Sequence, residues 1–137
     1  MTDRELMALA IEVRKQAYAP YSHFRVGAAL LASDGRVYTG CNIENAAYTP
    51  TNCAERTAFF KAVSEGVRAF SAIAVTGGRG EEPDVLCAPC GVCRQVMAEF
   101  CDADFRVILG NVKEIKVLSL GELLPLSFSP KNLEGNA

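Results

Sequence analysis

Three cysteines and one glutamate stand at spacings that suit metal chemistry. Cys53 and Glu55 belong to the sequence C-A-E-R, and Cys90 and Cys93 belong to P-C-G-V-C-R. Residues three apart share one face of a helix, so Cys90 and Cys93 can direct two thiolates toward one zinc ion. Each motif opens a predicted helix, and the partial positive charge of a helix N-terminus stabilises thiolates. Two such helix ends pointing together would bring Cys53 to the same ion.

The number of cysteines in these motifs bears on the kind of metal site they could form. Three thiolates leave one position of a tetrahedral zinc ion open, which is typical of catalytic sites, whereas structural sites usually have four protein ligands. Glu55 could then act as the proton carrier beside a zinc-bound water. The candidates for a fourth ligand are Cys41, Cys87, Cys101 and His23. Cys87 is nearest in sequence but precedes the helix, so we expect its thiol to point elsewhere, and a fourth cysteine ligand stays an open alternative.

Two arginines, Arg56 and Arg94, directly follow the cysteine motifs. Three thiolates around one divalent cation carry net negative charge, which makes a bound water harder to ionise. Hydrogen bonds from the two guanidinium groups to sulfur would withdraw charge and restore the acidity of that water. Both arginines could instead be surface residues, and Glu55 could serve only the helix dipole. Their positions beside two ligand motifs favour roles at the metal.

Composition and charge limit the class of protein. The chain has 137 residues, of which 50% are hydrophobic and 22% charged, with a net charge of −2; this fits a single domain over residues 1–137. A nucleic-acid partner would call for a basic excess, so a small uncharged ligand is expected. Because no membrane-spanning stretch or signal peptide pattern is found, we expect a cytoplasmic protein with no membrane contact. In that reducing compartment, clustered cysteines indicate metal binding or catalysis.

Helices and strands alternate along the chain and must position these motifs. Apolar residues at helical spacing predict a helix over residues 3–18, with a buried face of Leu6, Leu9, Ala10, Val13 and Ala17. Further helices are predicted from about 53 to 65, from about 90, and over about 121–124. Strands are predicted over residues 24–32, 36–41, 71–76, 105–109 and 115–120. This order predicts an α/β sheet with packed helices, followed by a loose tail over residues 131–137.

The motifs together resemble a known family. C-A-E followed by P-C-x-x-C is accompanied by Y-A-P-Y-S-H-F-R-V-G-A-A-L, G-C-N-I-E-N-A-A-Y and E-L-L-P-L-S-F. This ordered set covers nearly the whole chain and resembles the small zinc-dependent cytidine deaminases, in the branch whose first ligand is cysteine rather than histidine. The resemblance implies a three-layer α/β/α fold, with a mixed five-stranded sheet and helices on both faces. It also implies one zinc ion per subunit and a homotetramer with shared active sites.

The same resemblance implies an activity, namely hydrolytic deamination of cytidine and deoxycytidine to uridine and deoxyuridine plus ammonia, in pyrimidine salvage. Zinc-bound water would be the nucleophile and Glu55 the proton shuttle. The backbone of Ala54 is expected to hydrogen-bond the base. The preference between the two nucleosides stays open.

Further substrate contacts are predicted on both sides of the metal motifs. Asn42 and Glu44 form N-x-E on an extended segment, where residues two apart face the same way. An amide and a carboxylate suit a hydroxyl that donates and accepts, and by resemblance this is the ribose 3′-hydroxyl. Phe24 resembles the aromatic residue near the base and sugar. Residues expected to reach a neighbouring subunit's site are Ala46, Tyr48 and Phe128.

Three other functions share parts of this pattern. A blasticidin-S-type deaminase would use the same zinc core, but the N-x-E motif and Phe24 favour a nucleoside. A structural zinc module that binds a partner would usually show four ligands. A polynucleotide editor uses the same chemistry, but the chain lacks an aromatic and basic platform for a nucleic-acid strand.

Overall fold

Five strands form one mixed sheet, which the computed structural model describes together with its helices for residues 1–83 and 86–134. The helices are α1 (Asp3–Arg14), α2 (Ala54–Ser64), α3 (Gly91–Phe100), α4 (Leu120–Leu123) and α5 (Pro130–Leu133). The strands are β1 (Arg25–Ala32), β2 (Val37–Cys41), β3 (Phe70–Gly78), β4 (Arg106–Gly110) and β5 (Ile115–Ser119). Their order across the sheet is β2-β1-β3-β4-β5. Only β3 and β4 pair in parallel; the other neighbours are antiparallel.

Helices cover both faces of this sheet because successive strand residues point to opposite sides. On β1, Ala28 and Leu30 belong to the core cluster that includes residues of α2 and α3. Ala29, between them, belongs to the cluster with Leu6 and Met7 of α1. The α/β/α prediction with a mixed five-stranded sheet is therefore confirmed. Within the described ranges, no helix is long and apolar enough to cross a membrane.

Small side chains let α1 lie very close to the sheet. A Cβ atom on Gly27 of β1 would come within 2.0 Å of the Ala10 carbonyl oxygen and 2.8 Å of the Arg14 nitrogen. Since real Cβ atoms never approach backbone so closely, only glycine fits at this crossing. The close approach of α1 fixes the position of β1, the strand that begins directly after Phe24.

The sequence prediction for α1 is wrong in its length and in part of its buried face. The helix ends at Arg14, because Tyr18 leaves the helical path and forms a β-bridge with Ile43. Leu6 and Ala10 are buried as predicted, whereas Leu9 is 37% exposed. The buried positions also include the charged Arg14, which no apolar pattern could predict.

Arg14 is a buried cation held by backbone oxygens. Its guanidinium donates hydrogen bonds of 2.5–3.0 Å to the carbonyls of Arg25, Gly78, Gly80 and Glu81. These bonds join α1 to the start of β1, to the last residue of β3 and to the segment after it. We expect Arg14→Met to lower the free energy of unfolding by about 3 kcal/mol, since it leaves the buried Gly78 carbonyl and three part-buried carbonyls without donors.

The matched control for this substitution is Lys15→Met, in the same turn. Lys15 pairs with Glu12 at 3.0 Å, and both side chains are exposed, so its loss should cost less than about 1 kcal/mol. Guanidinium unfolding at one fixed protein concentration measures both variants. Equal midpoints for the two would contradict the role given to Arg14.

The C-terminal segment also differs from its prediction. Residues 130–133 form the one-turn helix α5, although a loose tail was expected from residue 131. Ser129 caps this turn and Pro130 occupies its first position, where proline is favoured. Residues 84, 85 and 135–137 lie outside the described part of the chain, so the end of the predicted tail is not covered.

Candidate active site

Two helix N-termini bring three cysteine sulfurs together. Cys53 is the N-cap residue of α2, Cys90 is the N-cap residue of α3, and Cys93 lies in the first turn of α3. Their Sγ atoms all lie within 4.8 Å of one another, and Cys53 Sγ and Cys90 Sγ are 3.8 Å apart. Tetrahedral zinc with Zn–S bonds of about 2.3 Å needs sulfurs about 3.8 Å apart. The three residues therefore fit one zinc ion and leave its fourth position open.

The end of β2 and the start of α2 are tied together beside this group. A Cβ atom on Gly40 of β2 would lie 2.6 Å from the Ala54 carbonyl oxygen, so glycine allows α2 to rest directly on the strand. The Thr57 hydroxyl lies 3.0 Å from the Cys41 carbonyl oxygen and 3.2 Å from that of Cys53. The helix that carries Cys53 is thus fixed to the sheet at its first turn.

Arg56 contacts the sulfur group directly. Its Nη2 donates to Cys53 Sγ at 3.2 Å. A hydrogen bond from the Cys93 thiol, and then the Arg56 guanidinium, lower the pKa of Cys53 to about 5. The hydrogen bond to Cys53, with smaller contributions from Cys93 and from the charge of both sulfurs, in turn raises the pKa of Arg56. The thiolate form that a metal needs is therefore favoured at Cys53 before metal binds.

The predicted contact between Arg94 and a sulfur is wrong. Arg94 Nε donates to the Pro89 carbonyl at 2.7 Å, and its Nη1 donates to the Leu123 carbonyl at 2.7 Å. The arginine reaches α4 and the residue just before Cys90. Among the described contacts it therefore stabilises the backbone beside Cys90 and does not offset the charge of a sulfur.

Glu55 is a buried carboxyl next to the sulfur group. Its residue is 4% exposed, and this burial raises the pKa of the carboxyl to about 7, with a further contribution from the negative charge of Cys53. A carboxyl that gains and loses a proton near neutral pH is suited to general acid and base catalysis.

A cavity of about 230 Å³ joins these residues to the predicted substrate contacts. It is smaller than the roughly 300–1,000 Å³ of drug-sized sites, which suits a small ligand. The predicted residues that line it are Phe24, Asn42, Cys53, Ala54, Glu55 and Cys90. Residues that were not predicted to line it are Ser22, Val26, Thr51, Asn52, Cys87 and Ala88.

Cys87 faces this cavity but lies outside the three-sulfur group. Burial, with the nearby charges of Glu55 and Cys53, raises the pKa of its thiol to about 12. A Cβ atom on Gly77 would lie 2.9 Å from Cys87 Sγ and 3.1 Å from Phe24 Cε1. Gly77 therefore leaves room for both side chains against β3, a role that no sequence motif indicates.

Asn42 and Glu44 are held by the segment that precedes β1. Asn42 Nδ2 donates to the Phe24 carbonyl at 2.8 Å, and its Oδ1 accepts from the Val26 amide at 2.9 Å. Glu44 Oε1 accepts from the amides of Tyr21 at 2.9 Å and Ser22 at 3.1 Å. Asn42 lines the first cavity, whereas Glu44 lines an adjoining one of about 400 Å³.

The three residues expected to serve a neighbouring subunit lie on the surface of the single chain. Ala46 is exposed, and Tyr48 and Phe128 are 71% and 58% exposed. Tyr48 has a φ of 63°, which is rare for a bulky residue and is found where surroundings impose it. Within one chain these residues do not line the cavity that contains Glu55.

An open three-thiolate zinc site beside a buried carboxyl, on an α/β/α sandwich, defines a hydrolytic zinc enzyme. The family described as the cytidine and deoxycytidylate deaminase zinc-binding region matches residues 1–109. A cytidine deaminase from Sporosarcina psychrophila is 55% identical over 134 residues, covering 97% of this chain and 96% of the relative. The chain belongs to this family of zinc-binding deaminases.

Two further comparisons bear on the fold and on the predicted alternative. The crystal structure of a cytidine deaminase from Burkholderia pseudomallei is 50% identical, covers 93% of this chain and 100% of its own, and gives a TM-score of 0.85. A blasticidin-S deaminase from Bacillus cereus is 33% identical over 131 residues, covering 93% of this chain and 92% of its own. The lower identity makes the blasticidin alternative the weaker one.

Proposed function

We propose that this chain catalyses the hydrolytic deamination of cytidine and deoxycytidine to uridine and deoxyuridine, with release of ammonia. The observation that carries the proposal is the buried carboxyl of Glu55 in one cavity with Cys53 and Cys90. When bound, zinc supplies a Lewis acid that activates water for attack on the base.

Glu55 moves the protons of this reaction. Its carboxylate accepts a proton from the attacking water and passes it to N3 of the cytosine ring, while the water oxygen bonds to C4. A second transfer through Glu55 takes the remaining hydroxyl proton to the amino group. The bond between C4 and that nitrogen then breaks, ammonia leaves, and the C4 carbonyl of the uracil forms. Burial of Glu55 keeps bulk water from competing for these protons.

The backbone of Ala54 is placed to orient the base. Ala54 is the first residue of α2 and is fully buried. The first N–H groups of a helix have no partner within the helix, so its amide can donate to a base oxygen. Phe24, which lines the same cavity, supplies an aromatic wall near the base and sugar. Arg56 offsets the charge of the three thiolates through its bond to Cys53.

The hydrogen bonds already made by Asn42 and Glu44 limit how they can hold the sugar. An ionised carboxylate offers about four acceptor positions, and three on Glu44 are taken by Tyr21 and Ser22. Asn42 keeps one N–H and one lone pair after its bonds to Phe24 and Val26. We assign to the 3′-hydroxyl a donated bond to Glu44 and an accepted bond from Asn42.

A homotetramer with shared active sites accounts for the exposed aromatic residues. Tyr48 and Phe128 are exposed in the single chain, and aromatic residues are enriched at interfaces between proteins. Tyr48 also packs edge-on against Tyr21 at 6.2 Å, beside the cavity that contains Glu44. Ala46, Tyr48 and Phe128 would then complete the nucleoside site of a neighbouring subunit.

The cysteines favour a reducing location for this enzyme. All six cysteines are free thiols in the structure, and Cys53, Cys90 and Cys93 must stay reduced to hold zinc. The cytoplasm meets this condition.

A spectroscopic assay tests the proposed function. Zinc-loaded protein should abolish the cytosine absorbance of cytidine and deoxycytidine, and a zinc chelator should stop this turnover. Blasticidin S serves as the competing substrate and should turn over far more slowly. If zinc-loaded protein leaves cytidine unchanged, the proposal is refuted. Turnover of blasticidin S alone would instead support a blasticidin-S-type deaminase.

A further inference from the structure

Ser22 lies between the two cavities of the site and lines both of them. Its hydroxyl donates to Glu44 Oε2 and accepts from the Phe24 amide at 3.0 Å. A serine hydroxyl has a single proton. Since that proton is directed to the carboxylate, the oxygen lone pairs are left to receive the Phe24 amide.

Asn42 extends this chain of hydrogen bonds to the other side of Phe24. The Phe24 amide is held by Ser22, and the Phe24 carbonyl accepts from Asn42 Nδ2 at 2.8 Å. Ser22 therefore links the carboxylate on one side of the site to the aromatic residue on the other. A change at Ser22 therefore removes a contact of Glu44 and a contact of Phe24 together.

The hydrogen bonds on Glu44 leave only one of its two carboxylate oxygens, Oε2, able to accept a further bond. Oε1 accepts two backbone amides, from Tyr21 and Ser22. Oε2 accepts from the Ser22 hydroxyl, and the remaining acceptor position of the carboxylate is on this atom. Any hydroxyl that donates to Glu44 must therefore bond the oxygen that Ser22 orients.

We propose that Ser22 is a positioning residue for sugar recognition, whose hydroxyl turns Glu44 Oε2 toward the sugar hydroxyl that binds there. This inference rests on the proposed function, because it names a residue on which the nucleoside site depends. A charge-assisted hydrogen bond of this kind is stronger than one between neutral groups.

The test compares two nucleosides in four forms of the zinc-loaded enzyme. Values of kcat/KM for cytidine and 3′-deoxycytidine are measured for wild type, Ser22→Ala, Ser22→Thr and the exposed control Ser33→Ala. In the wild type, removal of the 3′-hydroxyl should lower kcat/KM by a fixed factor. We expect Ser22→Ala to reduce that factor by roughly tenfold, and Ser22→Thr, which keeps the hydroxyl, to restore it toward the wild-type value. Ser33→Ala should leave it unchanged.

An unchanged factor in Ser22→Ala would overturn the proposal, because a merely structural role lowers both substrates alike. Should Ser22→Ala not fold, Ser22→Cys preserves the side-chain size with a weaker donor and must show the same loss of discrimination. Absence of cytidine turnover in the wild type would instead refute the proposed function.

A measurement that needs no turnover tests the role of Ser22 separately from the proposed function. The hydrogen bonds to Glu44, with that of the Ser22 hydroxyl the largest contribution, lower the pKa of this carboxyl. NMR titration of labelled glutamate carboxyls should show the pKa of Glu44 rising toward its ordinary value of about 4.3 in Ser22→Ala. No change in that titration would also overturn the role of Ser22.

Discussion

Replacing Glu55 by glutamine is expected to lower kcat for cytidine by about 100-fold to 10,000-fold, the usual contribution of a positioned proton carrier. Glutamine has nearly the same size but cannot accept a proton and return it. The three sulfurs are untouched, so the variant should retain its zinc. Loss of cytosine absorbance measures turnover, and atomic absorption measures zinc per chain. A variant that keeps activity within a few-fold of wild type would refute the role of Glu55.

A measurement of thermal stability distinguishes the loss of the proton carrier in Glu55→Gln from misfolding of this variant. Burial raises the pKa of Glu55 to about 7, so in the metal-free chain the ionised form is less favourable folded than unfolded. Its cost therefore grows as pH rises from about 4.5 toward 7 and is fully present above that. The neutral glutamine avoids the cost, and the thermal midpoint at pH 8 should not fall. Glu65→Gln, at the exposed end of the same helix, is the matched control for turnover.

Two parts of the site could be predicted because the geometry within each of them is local. Cys90 and Cys93 are three residues apart at a helix start, and helical geometry alone puts their sulfurs on one side. Glu55 follows Cys53 by two residues at a second helix start, so one turn fixes both. Residues 24–32 are apolar on both alternating faces, and this pattern likewise sufficed to predict a covered strand.

The errors arise where long side chains choose among distant partners. Arg94 sits next to a ligand motif, but its guanidinium can reach either a sulfur or a carbonyl. The position of Leu123, 29 residues later, decides the outcome, and no local pattern contains that information. Arg14 is similar, because its carbonyl partners come together only when α1 lies on the folded sheet.

Contacts that depend on a glycine or on a crossing of two chain segments could not be predicted from the sequence either. Gly77 and Cys87 are ten residues apart, and only the folded end of β3 shows that one makes room for the other. The end of α1 depends on the bridge between Tyr18 and Ile43. The periodicity of apolar residues predicted a longer helix, because it contains no information on the distant residue with which Tyr18 forms a β-bridge.

Removal of Cys90 is expected to lower bound zinc from one ion per chain to a small fraction of that, and cytidine turnover by at least about 100-fold. The size follows because even loss of a residue that only supports a metal ligand costs about 10-fold to 100-fold in affinity or activity. Cys90 is exposed and adds little to the core, so Cys90→Ala should fold. Metal content and turnover are measured on the same preparation.

Cys87→Ala is the decisive companion, because Cys87 faces the same cavity but lies outside the three-sulfur group. It should keep its zinc, with activity within about tenfold of wild type, since only an apolar contact to a small ligand changes. Loss of zinc in Cys87→Ala would mean that four thiolates close the site, which is the arrangement of a structural metal centre.

A chelator adds a third readout, because zinc that binds only the folded chain raises its stability by mass action. The thermal midpoint should drop on chelation for wild type and Cys87→Ala but stay nearly constant for Cys90→Ala, which has little zinc to lose. If the three proteins responded alike, Cys90 would not be a ligand, and the open fourth position on which the deaminase chemistry depends would lose its support.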